Sequence, residues 1–172
     1  MPNRFSPTDV AALLESAMAT IRAEADALPK ALATFHPADG EWSINEVLGH
    51  LIEAERRGFA GRIKVLLASK DPQLEGWDQN EVARGRRDDL KAAAKLVAEL
   101  GRMRAESVTL VRGLKAADLK RGGQHPKVGW LRVEDLLQEW VHHDRNHIKQ
   151  ILANVQAWAW PHMGNAQKFV GE

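Results

Sequence analysis

Four long segments of this chain repeat their apolar residues at the three-to-four spacing of an α-helix, and that repetition leaves few architectures open. Val10, Leu14, Ala17, Ile21 and Leu28 form one stripe, and Ile44, Leu48, Leu51, Phe59, Ile63 and Leu66 a second. Leu90, Val97, Leu100, Ser107, Val111 and Leu114 form a third, and Leu137, Trp140, Asp144, His147, Ile151 and Val155 a fourth. The Val/Ile/Tyr-rich alternation that marks strands is missing, and tyrosine is absent altogether. Four amphipathic helices bury their stripes most economically around a shared core, so the expected fold class is all-α, a four-helix bundle. At 172 residues the chain has the size of one domain, spanning 1–172.

Local signals bound the helices. Ser6-Pro7-Thr8-Asp9 opens the first, with Ser6 as N-cap and Pro7 where a missing N–H costs nothing, and Pro29 ends it. Ser43 and Glu46 form a capping box for the second, with Trp42 stapled onto Val47, and that helix should run on until it stops before Asp71-Pro72. A long irregular link from Ser69 to about Arg87 comes next, of the kind that covers a site. The third helix is expected to start at Asp88-Asp89, whose carboxylates suit a helix N-terminus. The fourth starts near Arg132 to Glu134, after Gly122-Gly123-Gln124-His125-Pro126, and ends near Trp158. Links of this length allow a topology other than simple up-down-up-down.

Composition excludes several classes of function. With 24 basic and 23 acidic residues the net charge is +1, and no run of like charge marks a nucleic-acid or membrane surface. There is no cysteine, which rules out thiolate ligands, thiol nucleophiles and disulfides. The amino terminus lacks the apolar run of a signal peptide, and no uncharged stretch has transmembrane length, so a soluble, cytoplasmic protein is expected.

The chemistry concentrates in the fourth helix. His143 and His147 are one turn apart and on or beside the core stripe, where polar side chains need a reason. Two imidazoles at this spacing can reach one metal ion, and His50, at the margin of the second stripe, could supply a third. Three neutral imidazoles suit zinc, nickel, cobalt, iron or copper, whereas calcium and magnesium want more oxygen. Such a site leaves a position open for water or a small-molecule substrate. A buried pair of core histidines held by hydrogen bonds is the competing reading. Asp144, between the two histidines, could orient a ligand imidazole, act as a base, or pair with a buried arginine. Glu53 and Glu55 are further candidate bases, although carboxylates just ahead of Arg56-Arg57 more often face solvent. His142 is expected to be exposed or at an interface, and His36, His125 and His162 to lie on the surface.

The segments Trp42-Ser43-Ile44-Asn45-Glu46-Val47-Leu48-Gly49-His50-Leu51, Gly129-Trp130-Leu131-Arg132-Val133-Glu134-Asp135-Leu136-Leu137 and His143-Asp144-Arg145-Asn146-His147-Ile148-Lys149-Gln150-Ile151 together resemble the DinB/YfiT-like superfamily of damage-inducible four-helix bundle proteins. The resemblance covers most of the chain in order and spacing. It implies a three-histidine metal site on His50, His143 and His147, holding a divalent transition metal, zinc or nickel foremost. Some relatives use the metal to activate a low-molecular-weight thiol, bacillithiol or mycothiol, for transfer or isomerisation, and others are described as metal-dependent hydrolases. A homodimer is a further expectation from the family. The leading hypothesis is therefore a metal-dependent enzyme, hydrolase or thiol S-transferase. The alternative is a non-catalytic, stress-associated metal-binding or interaction module.

Overall fold

A computed structural model describes residues 3–170, so both ends of the expected 1–172 domain, including the Met1-Pro2 start of the amino-terminal stretch, lie outside the described residues. The first helix, α1 (Pro7–Ala27), begins as its sequence predicts. Ser6 Oγ accepts from the Asp9 N–H, and the Asp9 carboxylate accepts from the Ser6 N–H at 2.9 Å. The same reciprocal cap, Ser43 with Glu46, opens α2 (Ile44–Glu53).

The second segment does not continue unbroken. Ala54–Gly58 form a π-helical turn, closed by the Phe59 N–H donating to Ala54 O at 2.8 Å, before α3 (Ala60–Ala68) resumes α-helical winding. The extra residue in this turn rotates the α3 side chains about the helix axis, and Phe59 stacks on Trp140 with ring centroids 4.9 Å apart. Gly61 makes the tight winding possible, because a Cβ there would sit 2.2 Å from the Arg56 carbonyl oxygen.

The link after α3 is more structured than its polar sequence suggests. It contains α4 (Gln79–Arg86), capped by Asp78, whose Oδ1 accepts from the Asn80 and Glu81 N–H groups, and it ends at Arg87 in the left-handed region. Asp88 does not start the third long helix. It is buried in a short turn, its carboxylate held by Arg86 Nε and Lys91 Nζ at 2.7 Å each, and Leu90 points outward rather than into the core, 72% exposed. The third long helix, α5, spans Ala93–Arg112.

After the short α6 (Ala116–Leu119) comes an element that the apolar pattern does not announce, an antiparallel hairpin of β1 (Gly122–His125) and β2 (Gly129–Arg132). Its first strand is four residues without one β-branched side chain, which is why it reads as a turn. Gly129, at φ 76°, takes a conformation that other residues adopt only under strain. Backbone bonds from Gln124 N to Pro72 O and from Leu74 N to Gln124 O tie the hairpin to the link. The last long helix, α7, spans Val133–Ala159.

In the bundle, α1 and α2 each pack against α5 and α7, so the two pairs α1/α2 and α5/α7 sit diagonally. Consecutive helices in the chain are therefore not always neighbours. The core divides into two apolar clusters, one around Leu14, Phe59, Val111 and Trp140, the other around Ile21, Leu48, Leu100 and Ile151. Between them lies a buried polar layer: Glu55, Arg104, Ser107 and Asp144. None of the described helices is long and apolar enough to cross a membrane.

Candidate metal centre

The three histidines singled out by spacing meet beside this polar layer. One turn of α7 separates His143 from His147, and α2 carries His50 against them. Ring centroids are 4.5 Å apart for His50–His147 and His143–His147 and 5.1 Å for His50–His143. His50 Nε2 lies 3.0 Å from His143 Nε2, and one nitrogen of each ring falls within 4.8 Å of the other two.

Aromatic rings wall the cluster. Trp42, just ahead of the Ser43 cap, packs on His50 at 5.0 Å and stacks on His147 at 6.5 Å; Trp77 from the link also stacks on His50, at 5.8 Å; Phe59 meets His143 edge-on. Taking imidazoles out of water disfavours their charged form. Burial, with repulsion from His147, pushes His50 down to about 3, and burial with the neighbouring histidines and Arg104 pushes His143 to about 2. His147 is lowered by burial, against the opposing pull of Gln150 and Asp144. All three are neutral near pH 7, the form that ligates metal. His147 Nδ1 lies 2.9 Å from Gln150 Oε1, which can only accept, so the proton sits on Nδ1 and Nε2 keeps its lone pair. The Nδ1 atoms of His50 and His143 are buried without a partner, so Gln150 is the one outer support that this ligand set shows among the described residues. Three converging neutral nitrogens fit a borderline transition metal and suit a hard, oxygen-seeking ion poorly.

The carboxylates proposed from sequence lie elsewhere. Asp144 is buried in an ion pair with Arg104, accepting from both terminal nitrogens, and Arg104 Nε holds Glu55 at 2.6 Å. Ser107 Oγ donates to Glu55, whose carboxyl is pushed up chiefly by burial. Asp144 thus takes the arginine-paired role while its charge bears on His147 from one turn away. Glu53 and Glu55 are both buried, not solvated. Glu53 is committed to Arg86, Arg57 and Arg56, and with Asn45, whose side chain donates to the Asp88 and Lys91 carbonyls, it pins α4 and its flanks onto α2.

A cavity of about 550 Å³ opens onto His50 and His143 between α3, the link, the hairpin and α7. Its lining includes Trp77, Arg62, His125 and Glu139, none of which the sequence marks as a ligand or base. Glu139 had a signal, being four residues before His143 and so on the same face of α7. Arg62 and His125 had none, because the link and hairpin that bring them to the site are not periodic. His125 is buried rather than on the surface. His142 and His162 are exposed as expected, and His36 is half-exposed, paired with Glu46 at 2.8 Å.

Fold and centre together define a helical-bundle protein with a candidate three-histidine metal site opening onto a cavity. The family model described as the DinB superfamily matches residues 13–151, and the chain belongs to that superfamily. A protein of Bacillus mycoides (strain KBAB4) named "Putative metal-dependent hydrolase" is 24% identical over 121 residues, covering 70% of this chain and 69% of the relative. A protein of Oceanobacillus iheyensis named in the same way is 21% identical over 121 residues, with the same coverage. YfiT from Bacillus subtilis, described as "a probable metal-dependent hydrolase with an unusual four-helix bundle topology", superposes with a TM-score of 0.82 at 20% identity, covering 93% of this chain and 94% of that one. A Streptococcus pneumoniae protein superposes with a TM-score of 0.67 at 12% identity, covering 91% and 94%. At these identities the solved structures bear on the fold alone.

Proposed function

We propose that this protein is a metal-dependent hydrolase acting on a small molecule bound in the cavity beside His50 and His143. The observation that carries the reading is the convergence of three neutral imidazoles, two of which, His50 and His143, wall that cavity, with Glu139 in the same lining. The hydrolase names of the Bacillus and Oceanobacillus relatives support it. None of these relatives carries a thiol-transferase description.

His50, His143 and His147 would hold the metal through one ring nitrogen each. A divalent ion of the zinc or nickel type supplies Lewis acidity there and brings the pKa of water toward neutrality. The chain's own groups do the rest. Gln150 keeps the His147 proton on Nδ1 so that Nε2 stays free to ligate. Trp42, Trp77 and Phe59 pack on the imidazoles and hold their orientation. The Glu139 carboxylate takes a proton from the attacking water and returns it to the leaving group.

The test loads wild type and Glu139→Gln with zinc or nickel and follows hydrolysis of a panel of aryl esters, anilides and phosphate esters, with a low-molecular-weight thiol as a separate arm. Loaded wild type should hydrolyse one class, and Glu139→Gln should lower kcat by about 10²-fold or more with metal content unchanged. Thiol consumption without hydrolysis would replace the hydrolase by an S-transferase. Inertness of the loaded protein in every arm would leave a non-catalytic metal-binding module.

A further inference from the structure

The same cavity has a second polar locus, away from the three histidines, whose hydrogen bonds do not close. His125, at the end of β1, accepts at Nδ1 from the Lys127 N–H at 3.2 Å, which leaves the ring proton on Nε2. Arg62 Nη2 sits 3.0 Å from that Nε2. A guanidinium nitrogen only donates, so two N–H groups face each other with no acceptor between them. Exchanging the tautomer does not help, because the ring proton then faces the Lys127 N–H. Burial and the neighbouring Arg62 and Lys127 charges disfavour a second proton on His125. The Arg62 side chain otherwise donates to Glu75 O at 3.2 Å, and its Nε is buried with no partner. Buried donors are nearly always paired, and a locus with several left over lacks an acceptor.

We propose that Arg62 and His125 form an oxyanion-binding subsite, and that the substrate carries a carboxylate or phosphate group there while its scissile bond faces the histidine centre. This rests on the hydrolase reading for the word substrate, but not for the binding. One oxygen accepting from His125 Nε2–H and an Arg62 N–H would resolve the opposed donors, and the forked guanidinium suits a planar or tetrahedral oxyanion. Both residues line the cavity that reaches His50 and His143. Lys127, in the same lining, adds attraction for an anion. Asp78, also in the lining, has its carboxylate engaged in capping α4, and Glu139 stands as the opposing charge that a bound anion must tolerate.

Side-chain NMR of the His125 ring, assigned through His125→Gln, tests this on the full chain titrated with sodium acetate and, separately, with inorganic phosphate at constant ionic strength. A saturable shift is expected in wild type. Arg62→Gln should weaken it about tenfold or more, the loss of one charge-assisted hydrogen-bonding group. Arg62→Lys, which keeps the charge but removes the fork, should also bind more weakly than wild type. Tighter saturation by acetate identifies a carboxylate, and by phosphate a phosphoryl group. The shift should persist in His147→Ala, so that a protein failing every hydrolysis assay can still show the subsite. A shift that never saturates, or affinity unchanged in both Arg62 variants, overturns the proposal whatever the metal content proves to be.

Discussion

At the scale of single residues, the metal-site histidines were readable because their chemistry coincides with periodicity. His147 falls on a core stripe, His143 beside it, and no apolar reason accounts for either. Asp144 was readable as a polar residue needing a partner, but Arg104 could not be picked from sequence, since the pair joins α5 to α7 across forty positions. Arg62 and His125 were opaque for a related reason: two short, aperiodic elements bring them together. His125 also carries a pH signature. Its folded pKa lies below the usual imidazole value of 6.5 because burial and two cations disfavour the proton. The unfolded chain therefore binds more protons there in the window just below 6.5. Its contribution to stability is complete above that pH and is lost as pH falls through the depressed folded value. Melting temperature measured against pH should thus drop more steeply below 6.5 in wild type than in His125→Gln, and parallel curves would contradict this.

Among the elements, the long helices followed from stripes and caps, and the departures occur where local packing overrides the stripe. The apolar pattern runs from Ile44 to Leu66 without a gap, yet the backbone inserts a π turn at Ala54–Gly58 that sets Phe59 on Trp140 and against His143. Nothing in the periodicity distinguishes that turn from a continuous helix, although two glycines within four residues, Gly58 and Gly61, are its trace. Gly61→Ala drives a Cβ to 2.2 Å from a backbone oxygen, whereas at Gly58 the nearest atom is 3.7 Å away. Denaturant unfolding should show Gly61→Ala destabilised by about 1–3 kcal/mol, the usual range for overpacking, and Gly58→Ala close to wild type. Equal effects would mean that the π turn does not depend on the close approach. The hairpin escaped because four residues rich in glycine carry no strand signature; its place is set by bonds to Pro72 and Leu74.

For the whole molecule, the polar layer links all four long helices. Arg104 of α5 reaches Leu14 O on α1, Glu55 in the turn after α2, and Asp144 on α7. Arg104→Met should cost about 3–5 kcal/mol, because it leaves two carboxylates buried without their cation. A loss below about 1 kcal/mol in chemical denaturation would contradict that. The histidine centre is different in kind, since the apolar clusters on either side close without it. The folded state should therefore outlast its metal, as expected of a centre that acts rather than one that holds the fold together. The most direct test is elemental mass spectrometry on untagged wild type and His147→Ala, each checked for helicity. Near-stoichiometric zinc, nickel or another transition metal in wild type, lost in a still-folded His147→Ala, is the predicted result. A wild-type protein that is empty and cannot be loaded, or a variant that keeps its metal, would contradict the account.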